Sequence, residues 1–495
     1  MGNKKPGKTL WEPLLDPNKL TDNEIAWMRR QLWIKGELNW KLHATQELID
    51  QRVKTTGDEY LILCSRQLGK SWWSIKYALE YAIKNPGTIV RIAADTLKQI
   101  TDIVNDNLEP FCADAPKGFI TKQKSSLRWE IGFKKGPNGR KSSIRLGCLA
   151  RAHVDTLRGG NAGLVIAEEG GFVKSAEYKY AIEDVIGAQL LRSGGRLIHV
   201  STPSEDLLHY LHTVVKPACD ARGSTSSYTI YDNPQLSAEQ IDKAKRRARG
   251  EHTDTWKREY LAQILPIRER LIVPEFVDAE ATIVKPATHC NATSYWLSGD
   301  LGGSRDLHVF HIWMWNWQTR KKQVLSELWF PNQTGTKMIV EGIKKWEAET
   351  LQEFYGDTPG TLPTGYARRI DPGGSHQLLI DISLEGLQCI APDKTDSTTS
   401  LSDLRDEIYE KQIEIDPRCT LLITTLRSGM WNGPRTDWER SEVLGHCDAI
   451  ASAMYGNRDA ICKDRRPASV GYFEERRKDV GDAKKKAFAR KFMNK

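Results

Sequence analysis

Apolar positions fall into three successive textures along the chain. Residues 1–30 are largely polar, and helical spacing appears over Asn23–Leu32 and again over Lys41–Gln51. From Tyr60 the pattern becomes an alternation of short apolar runs and helical segments. Tyr60–Cys64, Thr88–Ala93, Leu164–Ala167 and Arg196–Val200 read as buried strands. Ser71–Ile83 and Leu97–Leu108 read as helices between them. Strands alternating with helices predict a parallel sheet covered on both faces. One charged helix is expected over Ala238–Leu261, and the following Leu265–Arg270 reads as a linker.

The texture changes again at Tyr295. Leu307–Trp317 alternates, with Trp313, Trp315 and Trp317 on one face, and Val324–Phe330 answers it after the polar turn Gln318–Lys322. This predicts a β-hairpin whose tryptophans pack against a sheet in preference to stacking on bases. A strand ending at Asp371, a strand over Leu387–Ala391 and a helix through Asp448–Tyr455 complete the pattern.

Composition changes this picture little. A chain of 495 residues with 39% hydrophobic and 27% charged side chains has room for two or three ordinary domains. Nothing approaches the run of roughly 18 apolar residues that a membrane span needs. The basic start Met1–Lys8 is not followed by an apolar segment, so no secretory signal is expected. Nine cysteines without a Cys-x-x-Cys pair predict reduced thiols and no zinc site. Most of the net charge of +8 sits in 463–495, where twelve Lys/Arg face five Asp/Glu. Such a tail is either a solvated end or an attractor of a polyanion.

Candidate chemistry gathers at strand ends. Ser65-Arg66-Gln67-Leu68-Gly69-Lys70-Ser71 joins an apolar strand to a helix, the context of a phosphate loop. There Lys70 would neutralise the β/γ-phosphates of ATP and the Ser71 hydroxyl would bind Mg²⁺. The first glycine of the usual pattern is replaced by Cys64. About a hundred residues on, Leu164-Val-Ile-Ala-Glu168-Glu169 ends an apolar strand in two acids. Glu168 is assigned to the metal, in place of the usual aspartate, and Glu169 to the attacking water. Further along, Asp300 and Asp306 flank a glycine turn, Asp371 ends a strand, and Asp448 starts a helix. Carboxylates brought together in this way can hold two Mg²⁺ or Mn²⁺ ions for phosphodiester cleavage. Each is also an ordinary turn or cap residue. Asp381, ten residues after Asp371, falls in a stretch that reads as helix, so Asp371 is preferred.

Taken together, the order of these motifs over residues 40–460 resembles the large subunit of tailed-bacteriophage DNA-packaging terminases. Ser65–Ser71 is similar to that family's glycine-poor phosphate loop, in which Arg66 stands where a charge-stabilising arginine is found. Leu157-Arg158-Gly159-Gly160 resembles the run into the acid pair. Ser201-Thr202-Pro203 resembles the segment that couples hydrolysis to DNA movement, and Lys41–Gln46 resembles the adenine-binding segment, with Gln46 as the base contact. Asp300, Asp371 and Asp448 match the acidic triad of the family's nuclease, Asp306 a fourth acid, and His446 a neighbouring histidine.

The resemblance implies a P-loop (ASCE) ATPase domain over 35–265, after a lead-in at 1–34. A linker at 266–290, an RNase H-like nuclease domain over 291–462 and the basic tail 463–495 would follow. It implies a motor that uses ATP with Mg²⁺ to move double-stranded DNA into a procapsid, and that cuts concatemers with a two-metal endonuclease. The implied partners are double-stranded DNA, the portal protein and a small terminase subunit. The implied setting is a homo-oligomeric ring in the host cytoplasm, transiently docked on the procapsid. A P-loop helicase or repair ATPase with an accessory nuclease, and a non-catalytic DNA-binding scaffold, are the competing readings. The first would require a second RecA-like domain with its own motifs.

Overall fold

The computed structural model describes residues 21–460, apart from 124–126, 290–293, 303–305, 356–361, 364, 374–375, 393–395, 434 and 442. The basic tail and the first twenty residues lie outside the described residues. The chain divides into two compact units, Met1–Ile267 and Arg268–Lys495.

In the first unit, helix α1 (Asp22–Lys35) opens on a capping box between Thr21 and Glu24. Helix α2 (Ala44–Thr55) precedes strand β1 (Glu59–Leu63), and helix α3 (Lys70–Lys84) follows it. Strand β2 (Ile89–Ala94) and helix α4 (Leu97–Cys112) come next, then β3 (Ile120–Lys122), β4 (Arg128–Lys135) and β5 (Lys141–Cys148). β6 (Leu164–Glu168), β7 (Arg196–Ser201) and β8 (Thr225–Ser226) complete one sheet in the order β3-β4-β5-β2-β6-β7-β1-β8. The strands β8-β1-β7-β6-β2 are mutually parallel. β7 separates the strand that feeds the phosphate loop from the strand that ends in the acid pair. That insertion is the ASCE arrangement expected from the sequence. β1 and β6 are apolar on both faces because helices cover both sides, as the continuous runs Tyr60–Cys64 and Leu164–Ala167 require.

The second unit carries β9 (Tyr295–Leu301), β10 (His308–Asn316), β11 (Lys321–Phe330), β12 (Ala367–Asp371) and β13 (Ile413–Ile415). Their order is β12-β9-β10-β11-β13. β10 is antiparallel to β9 and β11, while β12 is parallel to β9. Ile390 adds a parallel bridge to Arg369 on the far side of β12. Counted within this unit, third-second-first-fourth-fifth with the second strand reversed is the RNase H-like order. β13 is an addition beside β11.

Several expectations differ from what is observed. The single helix over Ala238–Leu261 is two, Ala238–Arg247 and Asp254–Glu259. Arg249 and Gly250 take positive φ, and Thr253 caps the new helix by accepting from the Trp256 N–H. The strand over Leu387–Ala391 is reduced to the one bridge at Ile390. Within the segment read as a linker, Leu271, Ile272, Val273 and Phe276 are buried, and a helix runs from Phe276 to Ile283. Trp313 packs inside its sheet, stacked 6.0 Å from Trp296 with its Nε1 donating to Ser298 Oγ at 2.9 Å. The seven described cysteines are all free thiols. Among the described residues no helix is long and apolar enough to cross a membrane.

Candidate functional sites

The first site forms where the C-terminal ends of β1, β7 and β6 meet. β1 leaves the sheet at Cys64, whose N–H donates to Ser201 O at the end of β7. The loop then turns through Gln67 at φ 64 and Gly69 at φ 81, and α3 begins at Lys70. A helix start leaves its first N–H groups without internal partners, aimed outward with the positive end of the helix. The Lys70 ammonium lies back along the loop, on Cys64 O at 3.3 Å and Ser65 O at 3.0 Å. Cys64 is fully buried, and burial pushes its thiol up to about 12, so it is an inert packing residue.

Across β7 stands the acid pair. Glu168 is completely buried, and neither carboxyl oxygen closes a well-formed hydrogen bond, although the Ser74 hydroxyl stands near enough to favour its charged form. Burial, more than the charge of Glu169, raises its pKa to about 7, against the opposing pull of Ser74 and Lys70. Glu169 adopts the left-handed conformation at φ 51, uncommon for a residue with a Cβ. The tight turn behind it is fixed by Gly171, whose N–H donates to Ser201 Oγ at 2.9 Å. A Cβ on Gly171 would lie 2.9 Å from both Ser201 Oγ and Thr202 O. The hydroxyl of Thr202 is buried and unpartnered.

A cleft of about 1050 Å³ opens over the loop. Arg66, Gln67, Gly69, Lys70, Ser71 and Glu169 line it. Ser65, Leu68, Gln46, Glu168 and Thr202 lie outside that lining. Buried oxygens on Glu168 without a well-formed hydrogen bond, beside an ammonium and a hydroxyl-bearing helix start, fit a Mg²⁺–nucleotide. Arg66 is engaged elsewhere: its guanidinium pairs with Glu259 and lies 5.9 Å from the Phe172 ring centre. Gln46, expected at the base, donates its amide nitrogen to Gly69 O at 2.8 Å. Arg158 pairs with Asp155 and Tyr180. Sequence reasoning missed Glu259, His43 and Asn233, all bonded to the loop, and the opposite wall of the cleft. That wall is the face of α4 carrying Gln99, Asp102 and Asp106. Its 3–4 spacing was legible, its position was not.

The second site lies at the C-terminal ends of β9 and β12. Asp300 and Asp371 are directly paired across these parallel strands. Asp371 is buried and accepts from the Tyr455 hydroxyl at 2.8 Å and the Gly373 N–H at 3.2 Å. Burial, then the charges of Asp300 and Asp371, raise the pKa of the Tyr455 phenol far above its ordinary value. Asp448 starts the helix Asp448–Arg458, and its Oδ2 accepts from Leu307 N at 2.8 Å, just beyond the loop that leaves β9. Gly445 is required here, because a Cβ would fall 2.3 Å from that oxygen. Burial first, with Asp306 adding, raises the Asp448 pKa to about 6. Asp306 itself pairs with Arg440 at 2.8 Å.

Asp300 thus stands beside Asp371, and Asp306 beside Asp448, around the same strand ends. Among the described residues no three His, Cys, Asp or Glu side chains form a group that could grip an ion as they stand. The all-carboxylate donor set and the charge-starved Asp448 nevertheless suit Mg²⁺ or Mn²⁺. His446 turns its Nε2 toward Asp437 at 2.9 Å. Sequence reasoning missed Tyr455, two turns along the same helical face from Asp448, and Arg440.

Sheet order, loop and acid pair define the first unit as a P-loop ATPase fold of the ASCE type. Residues 61–269 match the family described as terminase large subunit, T4likevirus-type, N-terminal. Among solved structures it is similar to the large terminase of bacteriophage HK97 (14% identity, 85% of this chain and 95% of that one, TM-score 0.46). It is also similar to the ADP complex of a large terminase from a thermophilic bacteriophage (14% identity, 84% and 99%, TM-score 0.39). A third similarity is to a large-terminase ATPase domain from a Thermus phage (20% identity, 46% and 96%, TM-score 0.36). No curated protein matches the chain significantly.

Proposed function

We propose that the chain is the motor subunit of a viral DNA-packaging machine, hydrolysing ATP in its first unit and cutting DNA with its second. The observation that carries the reading is the ATPase geometry. A lysine and a serine at a helix start face two strand-end acids across one intervening strand, and one acid is buried without a well-formed hydrogen bond. Lys70 would exchange the carbonyls of Cys64 and Ser65 for phosphate oxygens. Ser71 and Glu168 would hold Mg²⁺, which supplies charge neutralisation on the phosphates when bound. Glu169, turned into the cleft by its left-handed backbone, is positioned to orient and deprotonate a water. Arg66 would have to leave Glu259 to stabilise charge on the transferring phosphate.

In the second unit, Asp300, Asp371 and Asp448, with Asp306, would hold one or two divalent ions, which activate water and stabilise the leaving oxygen. Double-stranded DNA is the proposed substrate, and the portal protein and a small terminase subunit the proposed partners. A ring on the procapsid in the host cytoplasm is the proposed setting. Support for joining the two activities comes from the family match over 61–269 and from an RNase H-like sheet, in place of a second RecA-like one, in the unit that follows.

The test separates the halves. Lys70→Ala should abolish ATP turnover and leave Mn²⁺-dependent plasmid nicking intact, while Asp300→Ala should do the reverse. ATP turnover that persists in Lys70→Ala would remove the motor, and nicking that persists in Asp300→Ala would remove the nuclease.

A further inference from the structure

The phosphate loop is held by side chains from outside it. Asn233 Nδ2 donates to Gln67 O at 2.6 Å, His43 Nε2 meets Leu68 O at 3.1 Å, and Gln46 Nε2 donates to Gly69 O at 2.8 Å. Three successive carbonyls are therefore each taken by a different side chain. The other end of each of the three side chains is also tied. Gln46 Oε1 accepts from the His43 N–H at 3.1 Å and His43 Nδ1 from the Gln46 N–H at 3.4 Å, a reciprocal cap on α2. Asn233 Oδ1 accepts from Gln235 N at 2.9 Å. The His43 tautomer follows from these partners: Nε2 carries the proton and Nδ1 accepts.

In a trans peptide the C=O of one residue and the N–H of the next point in opposite directions. No peptide among the described residues is cis. Carbonyls of residues 67, 68 and 69 held on these side chains therefore fix the N–H groups of Leu68, Gly69 and Lys70 in the opposite directions. The loop needs such help. It has Cys64 where the usual pattern has glycine, and it places Gln67 in the left-handed region, which costs of the order of 1 kcal/mol for a residue with a Cβ.

We propose that His43, Gln46 and Asn233 are positioning residues that set the phosphate-binding N–H groups, and that Gln46 serves the triphosphate through this clamp, not the base. The inference rests on the ATPase reading of the same site. Gln46 spends its oxygen on the His43 N–H and its nitrogen on the loop, and a Cβ on Gly69 would sit 2.5 Å from that nitrogen. Gln46 is also buried and does not line the cleft.

The experiment measures binding of ATP, GTP and inorganic tripolyphosphate to the full chain and to Gln46→Ala, His43→Ala and Asn233→Asp, with Lys70→Ala alongside. Asn233→Asp keeps the shape of the side chain but sets an oxygen against Gln67 O. Each clamp variant is expected to weaken all three ligands by a similar factor, roughly three- to tenfold for one lost hydrogen bond. The ATP:GTP ratio should stay constant, and His43→Gln, which restores an amide donor, should recover part of the loss. Circular dichroism confirms folding. If His43→Ala does not fold, Asn233→Asp and Gln46→Ala decide. Selective loss of ATP over GTP in Gln46→Ala would overturn the proposal in favour of a base contact. Unchanged affinity for all three ligands in the folded variants would overturn it outright. Lys70→Ala that still binds all three ligands normally would instead discard the ATPase reading beneath it.

Discussion

Glu168 is an acid whose burial the polypeptide alone does not compensate. Its folded pKa of about 7 lies above the ordinary carboxyl value of 4.5, so between these values the folded chain keeps a proton that the unfolded chain releases. Without nucleotide and metal, its contribution is neutral below about pH 4.5 and becomes a growing penalty as pH rises to 7, up to a few kcal/mol. Glu168→Gln should therefore raise the unfolding temperature of the ligand-free protein more at pH 8 than at pH 5. An equal gain at both pH values would contradict the assignment of burial as the cause. At this scale Lys70, Ser71 and the two glutamates were legible because their chemistry depends on neighbours in sequence. His43, Asn233 and Glu259 were not. They reach the loop from 25, 166 and nearly 200 residues away, and only the fold creates those contacts. Asp300 and Asp371 were selected by resemblance, and the strand register is what sets them side by side. Tyr455 carries no signal of its own in a helix of small residues.

At the scale of elements, strands buried on both faces were the clearest signal, since their apolar runs are continuous and bounded by turn residues. The β4–β5 pair was passed over although Trp129 and Ile131 alternate with polar positions and Pro137-Asn138-Gly139 marks its turn. A search for continuous apolar runs misses a strand that is half polar. The split of the Ala238–Leu261 helix turns on Gly250 and the Thr253 cap, both visible in the sequence but outweighed there by the charged periodicity. The β10 tryptophans divide by depth. Trp313 is fully buried, stacked on Trp296 and bonded to Ser298, whereas Trp315 is only partly covered. Trp313→Ala should destabilise the second unit by about 3–5 kcal/mol, measured by chemical denaturation. Trp315→Ala should cost clearly less, and equal costs would show that the packing has been misassigned.

For the whole molecule, the decisive information was the order of motifs. Each acid or turn is commonplace, yet a phosphate loop, an acid-ending strand, and then acids at two strand ends and one helix start give a sequence of parts. The structure sorts these parts into two sheets, one ordered as an ASCE ATPase and one as an RNase H-like unit. What the linear pattern could not give is how the acids of the second unit are engaged. Asp306 is held by Arg440, Asp371 by Tyr455 and Asp448 by a backbone N–H. The central claim is that one chain both drives and cuts DNA. Its most direct test is packaging of concatemeric and of precut linear DNA into empty procapsids, with wild type, Lys70→Ala and Asp300→Ala. The account predicts that Asp300→Ala packages precut DNA with ATP but fails on concatemers, and that Lys70→Ala packages neither. Packaging by Lys70→Ala, or mature-length cutting by Asp300→Ala, would contradict it.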